Sequence, residues 1–113
     1  MLTEVFIIEP DPIVRMDLVE LTSHDRGIAR VEDIEDKGVV ASVLLSAGRT
    51  SCILVNGDIA MDEASVGPSL VAAATRGAHI IVLGSEKVLP FPAEFVDLPF
   101  TPEMIVSAFP KTQ

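Results

Sequence analysis

Short runs of apolar residues alternate along the chain with longer stretches in which apolar positions recur at helical spacing. Three of the runs, at residues 5–8, 52–55 and 79–83, are almost unbroken. Unbroken apolar runs are typical of strands that are buried on both faces of a parallel sheet. Two weaker strands are predicted at residues 28–31 and 94–98, and the first of these is polar enough for a sheet edge.

The stretches between these runs predict helices. Four helices are predicted, at residues 13–23, 39–47, 65–76 and 102–109. The first begins with Asp11 as its N-cap and Pro12 in the first helical position, where a missing N–H costs nothing. Its apolar stripe is predicted to include Ile13 and Met16, with Arg15 facing away from the core.

Strands and helices alternate throughout, which indicates a parallel sheet with helices on both of its faces. Residues 1–113 are therefore predicted to form a single α/β domain with a flavodoxin-like, doubly wound sheet in the order 2-1-3-4-5. One connection departs from this pattern. Residues 84–93 contain Pro90 and Pro92, so a fourth helix is expected to be shortened or missing there.

The amino-acid composition excludes some classes of protein and makes some binding partners unfavourable. The 113 residues are 49% apolar, which excludes global disorder. Eight basic residues against seventeen acidic ones give a net charge of −9, which disfavours nucleic acid and anionic membrane surfaces. No segment has the roughly 20 apolar residues of a membrane span, and the start of the chain is unlike a signal peptide. We therefore expect a cytoplasmic protein. The single cysteine, Cys52, is predicted to be a small core residue.

Polar residues follow the predicted strands at the edge where doubly wound proteins carry their function. Glu9 and Asp11 follow the first strand, Asn56 and Asp58 follow the third, and Ser85 follows the fourth. The acidic residues among them form either a divalent-cation site or a solvated acidic rim. The rim is the favoured interpretation, because few fixed ligands make a weak Mg²⁺ site and the chain is acidic throughout.

Four segments, at residues 6–18, 53–56, 81–85 and 98–103, carry a family resemblance. Together they resemble the CheY-like receiver domain of bacterial two-component response regulators. The resemblance covers the chain except for the shortened connection before the last strand. It implies a five-stranded fold and a phosphorelay function in which Mg²⁺ assists phosphoryl transfer to an aspartate.

Most positions at which the resemblance implies chemistry are altered. Asn56 stands at the phosphoacceptor position, and Pro10 stands at the second acidic position. Gly84 occupies the hydroxyl position with Ser85 one residue later, and Leu98 replaces the lysine. An amide forms no ordinary acyl phosphate, proline has no side-chain ligand for a metal, and leucine carries no charge. We therefore expect a pseudo-receiver that is not an enzyme, with no cofactor and no Mg²⁺.

The expected function is signalling through contact with a protein partner or a second copy of the chain. Apolar residues around the irregular connection and the last strand are the interface candidates, namely Val88, Leu89, Phe91, Phe95 and Phe100. In the alternative interpretation, Leu89 and Phe91 fold back and fill the gap left by the helix.

Two other functions stay open at this point. One is an active phosphoacceptor domain with a rearranged site made of Asp11, Asp58 and Ser85. The other is a small-ligand binder that uses Asn56 and Ser85 as polar contacts at the carboxyl edge of the sheet.

Overall fold

The computed structural model describes residues 2–24, 27–62 and 64–110. Five parallel strands form one sheet in the order β2-β1-β3-β4-β5, so the predicted doubly wound topology is confirmed. The strands are β1 (Glu4–Ile8), β2 (Arg30–Asp33), β3 (Ser51–Asn56), β4 (His79–Leu83) and β5 (Glu94–Val96). Among the described residues, no helix has the length and apolar character that a membrane crossing requires.

In the described part of the chain, five α-helices connect or follow the strands. They are α1 (Pro12–Ser23), α2 (Val40–Val43), α3 (Gly57–Ala60), α4 (Val66–Thr75) and α5 (Pro102–Ala108). The predicted N-cap of α1 is confirmed, since Asp11 Oδ1 accepts hydrogen bonds from the backbone N–H of Ile13 (2.9 Å) and Val14 (3.5 Å). Helix α5 begins in the same way, with Thr101 as its cap followed by proline.

Helices cover the two faces of the sheet unequally. On the face that we call the α1/α5 face, both helices pack over alternate strand residues and bury Leu18 and Ile105 completely. On the opposite α2/α4 face, the cover consists of α2, α4 and the extended connection at residues 84–93. The described residues of that connection contain no helix, which confirms the expected loss.

Three local predictions were wrong. The edge strand β2 lies two residues later than predicted, because Val31 and not Ile28 pairs with β1 through Val5. The helix predicted at residues 39–47 is broken: a 3₁₀ turn precedes α2 and another follows it. The sequence Asn56-Gly57-Asp58 predicts a turn after β3, but Asn56 caps the short helix α3 there instead.

The buried stripe of α1 also differs from the predicted one. Ile13 and Met16 are 72% and 69% exposed, whereas Leu18, another apolar residue of the predicted helix, is buried together with Thr22. The Arg15 side chain, predicted to face solvent, is only 14% exposed. Arg15, Leu18 and Thr22 follow one another at spacings of three and four residues, so they share one face of α1, and Ile13 and Met16 lie off that face.

Candidate functional site

The carboxyl edge of β1 and β3 brings Glu9 and Asn56 together. Ile8 pairs with Val55 in the sheet, so Glu9, which directly follows β1, lies beside Asn56, the last residue of β3. Asn56 Nδ2 donates to both carboxylate oxygens of Glu9, at 3.2 Å to Oε1 and 3.4 Å to Oε2. Glu9 is only 2% exposed, so this amide is a direct partner of a buried acidic group.

The other end of the Asn56 side chain begins helix α3. Asn56 Oδ1 accepts hydrogen bonds from the backbone N–H of Asp58 (2.9 Å) and Ile59 (3.3 Å), which makes the residue the N-cap of that helix. Asparagine is one of the best N-cap residues because its oxygen satisfies N–H groups that have no intrahelical partner. The amide at the predicted phosphoacceptor position therefore uses both of its ends in bonds within the protein.

Glu9 has a second donor. The backbone N–H of Asp11 donates to Glu9 Oε2 over 2.9 Å. A buried carboxylate is stable only when donors replace the water that it has lost, and two donors reach this one. An aspartate at position 56 would lack the N–H groups that face Glu9, and two carboxylates would then meet in a buried place.

Asp11 and Asp58 adjoin this pair only through their backbones. The Asp11 carboxylate is exposed and caps α1, and the Asp58 side chain is exposed as well. Within the described ranges, no three His, Cys, Asp or Glu side chains are grouped so that they could hold a metal ion. The predicted acidic pocket is therefore one buried carboxylate with two outward-facing carboxylates beside it.

The residues at the switch positions follow the neighbouring strands β4 and β5. The N–H of Gly84 donates to the carbonyl of Val96 over 2.8 Å and so ties the end of β4 to β5, with a φ of 131° that glycine tolerates. Ser85 is exposed, and Leu98 is exposed next to a cis peptide bond to Pro99. Leu98 places no charge at this edge.

A lysine that the sequence argument missed does reach the edge. The Lys87 side chain packs over Gly57, so closely that a Cβ on Gly57 would lie 3.0 Å from Lys87 Cε. The same Cβ would lie 3.1 Å from the carbonyl oxygen of Leu83, so a larger residue at position 57 requires its neighbours to move by a few tenths of an ångström. Lys87 belongs to the connection at residues 84–93, where the sequence shows neither helical nor strand periodicity. The sequence therefore does not indicate that this lysine lies beside Gly57.

Arg15 is the second missed residue. Its guanidinium donates to the carbonyl oxygen of Glu9 over 3.0 Å and forms ion pairs with Asp33 (3.2 Å) and Glu35 (3.0 Å). It therefore joins α1, the end of β1 and the end of β2. The acidic residues just after β2 were the available signal, because that strand ends at the same edge as β1.

The interface candidates divide between surface and core. Val88 is 96% exposed, whereas Phe91 is buried in the α2/α4 face. Leu89 and Phe95 are half-buried against that same core, and Phe100 is half-buried against the other one. For Phe91 the filling alternative is right, and its side chain is not available to a partner.

Cys52 lies fully buried within the α1/α5 core, as predicted. Burial raises the pKa of its thiol, because the charged thiolate would lose its hydration. A thiol held neutral in this way is a poor nucleophile.

Comparison with known proteins gives a structural likeness without a sequence match. No protein-family model and no curated protein matches this sequence. Among solved structures, the response regulator StyR aligns with a TM-score of 0.65 at 19% identity, over 96% of this chain and 57% of that one. The Vibrio cholerae chemotaxis protein CheY4 aligns with a TM-score of 0.67 at 16% identity, over 95% of each chain.

A third structure, a CheY-like response regulator receiver domain protein from Methanospirillum hungatei, aligns with a TM-score of 0.62 at 19% identity. It matches over 94% of this chain and 90% of its own. The chain thus spans nearly all of two of these proteins and 57% of StyR. At these identities the likeness establishes the fold: this chain has the architecture of CheY-like receiver domains.

Proposed function

We propose that the chain is a receiver-like signalling module that acts through contact with a protein partner and without accepting a phosphoryl group. The observation that carries the proposal is the bonding of Asn56. Its amide nitrogen donates to the buried Glu9 carboxylate, and its oxygen caps α3. Both ends of the side chain at the phosphoacceptor position are therefore used in hydrogen bonds that join β1, β3 and α3.

Phosphoryl transfer needs a carboxylate oxygen as nucleophile at this position. Asn56 offers a neutral amide oxygen that already accepts hydrogen bonds from Asp58 and Ile59. Attack by that oxygen would break the cap of α3 and still give no acyl phosphate. This geometry supports the absence of the reaction.

Metal binding has equally little support from the donor set. Mg²⁺ requires hard oxygen ligands in octahedral geometry. Both oxygens of Glu9 accept hydrogen bonds from Asn56, and one of them also accepts from the N–H of Asp11. The Asp11 carboxylate caps α1, and Pro10 contributes no side-chain ligand. The residues present do not fit a Mg²⁺ site, so no step of the proposed function involves one.

A module of this kind has one remaining way to transmit a signal. A ligand or partner shifts a conformational equilibrium only by as much as it binds one state more tightly than the other. Without a phosphoryl group, that difference must come from the partner itself. The receiver architecture supports a signalling role, and the exposed apolar residues supply a surface for contact.

Incubation with acetyl phosphate and MgCl₂ followed by intact-protein mass spectrometry tests the proposal. We expect no phosphoryl adduct on the wild-type chain. The matched control is the triple variant Pro10→Asp, Asn56→Asp and Leu98→Lys, which supplies the acid, the nucleophile and the cation together. An adduct on the wild-type chain that maps to Asp58 would overturn the proposal and establish the rearranged phosphoacceptor instead.

A further inference from the structure

An apolar hollow of about 320 Å³ opens on the α2/α4 face. One wall is the end of α3 with Met61, the second is α4 with Pro68 and Val71, and the third is the extended connection with Val88 and Leu89. Every residue that lines it is apolar or glycine. Its volume lies at the small end of the range for ligand pockets, about 300–1,000 Å³, and suits one or two anchoring side chains.

The hollow exists because this connection has no helix. Phe91 turns inward and fills the core, but the residues before it run as an extended chain past α4. Val88 is left 96% exposed at the rim, and Met61 is exposed on the opposite wall. Val88 therefore adds nothing to the core, and together with Met61 and the lining of the hollow it forms a contiguous apolar surface that is available to a partner.

The charges around the hollow have one dominant sign. Asp58 and Asp62 lie on the segment that forms the first wall, and Glu86 precedes Val88 in the third. Helix α4 has no charged residue, and the stem of Lys87 is turned over Gly57. Three acidic residues and one basic residue thus lie close in sequence to the lining of the hollow, within a chain whose net charge is −9. The Asp62 carboxylate also accepts hydrogen bonds from the Ala64 N–H and the Ser65 hydroxyl.

We propose that this hollow docks a segment of a partner protein in which apolar side chains are flanked by lysine or arginine. This inference rests on the proposed function and names its partner class. Apolar anchors would enter between Met61 and Val88, and the basic groups would face the acidic surface of the chain around the hollow. A second copy of the chain fits poorly, because it would bring another nine negative charges to the contact.

The test uses the ¹⁵N-labelled chain and a synthetic amphipathic peptide of leucine and lysine, followed by amide chemical shifts. Saturable shifts are expected for the amides around Met61, Val71 and Val88, with weaker binding as salt concentration rises. A peptide of the same charge with serine in place of leucine should bind at least about tenfold more weakly, since burying leucine side chains provides the anchor. A leucine and glutamate peptide should not bind.

Two variants locate the contact. Val88→Asp places a charge in the hollow and should raise the Kd for the lysine peptide about tenfold or more, although its added negative charge attracts the peptide at long range. Val106→Asp adds the same charge on the exposed side of α5, on the other face, and should change the Kd less than about twofold.

Several results would overturn the inference: no saturable binding, equal effects of the two variants, shifts confined to α1 and α5, or a dimer formed through the hollow. Each of these leaves the proposed function in place, because that proposal is decided separately by phosphorylation. A phosphoryl adduct on the wild-type chain would overturn the proposed function whatever the peptide does.

Discussion

The two faces of one sheet are covered by different means. On the α1/α5 face, each helix begins at a capping residue followed by proline and lies across the strands as a regular helix. On the α2/α4 face, a broken helix, one regular helix and an extended connection share the cover. On the α1/α5 face, capping residues and prolines next to each helix determine where the helix begins. On the α2/α4 face, side chains such as Phe91 fill the core in place of a helix. The hollow lies on the second face, because an extended segment covers less area than a helix.

The largest expected effect is on the side chain that replaces the missing helix. Phe91→Ala removes a buried ring from the α2/α4 core and should lower the free energy of unfolding by about 3–5 kcal/mol in urea denaturation. Phe100→Ala on the α1/α5 face is the matched control, and its half-buried ring should cost less. A larger loss of unfolding free energy for Phe100→Ala than for Phe91→Ala would mean that Phe91 does not stabilise the α2/α4 face.

The next effect tests the polar edge between the two faces. Asn56→Asp keeps the cap of α3 but sets a carboxylate against the buried Glu9 carboxylate, and should cost about 1–3 kcal/mol in urea denaturation at neutral pH.

The variant Asp58→Asn is the control for this change, since Asp58 is exposed and uses its backbone in the site. It should stay within about 0.5 kcal/mol of the wild-type chain. An Asn56→Asp variant as stable as the wild type at pH 7 would contradict the assigned role of the amide.

Sequence reasoning succeeded where short-range chemistry decides the structure. The three central strands, the sheet order and the helices α1 and α5 were predicted, because apolar runs, helical spacing and the Asp11 cap act within a few residues. The broken helix around residues 40–43 and the inward turn of Arg15 depend on distant contacts, so periodicity misplaced them. The apolar run before Asn56 predicts that this residue lies at the end of a strand. Its hydrogen bond to Glu9 joins residues 47 positions apart, so it forms only once β1 and β3 pair.

A smaller effect is expected from the burial of Cys52, and it measures whether water is excluded from the core of the α1/α5 face. The folded state holds the Cys52 thiol neutral, because burial raises its pKa, whereas the unfolded chain ionises it above about pH 8.5. The folded state therefore binds more protons in alkaline solution, and stability falls as the pH rises. The slope reaches at most about 1.4 kcal/mol per pH unit.

Urea denaturation of the wild-type chain and Cys52→Ala between pH 7 and 10.5 isolates this contribution. The wild type should lose stability more steeply than the variant above pH 9. Parallel pH profiles, or rapid alkylation of Cys52 in the folded chain, would show that this face admits water.

The smallest effect concerns the start of α1. Asp11→Ala removes the carboxylate that accepts from the N–H of Ile13 and Val14 and should cost about 1 kcal/mol of unfolding free energy. Asp17→Ala, an exposed change in the middle of the same helix, should cost less than half as much. Equal losses of unfolding free energy in the two variants would show that the Asp11 cap does not stabilise the start of α1.

The account depends most on the claim that Glu9 and Asn56 satisfy each other without a metal or a phosphoryl group. Titration of the ¹⁵N-labelled wild-type chain with MgCl₂, and then with beryllofluoride as a phosphoryl mimic, measures this directly. We expect the amide signals of Glu9, Asp11, Asn56, Asp58 and Ile59 to stay unchanged throughout. Saturable shifts of these signals with Mg²⁺, strengthened by beryllofluoride, would contradict the account.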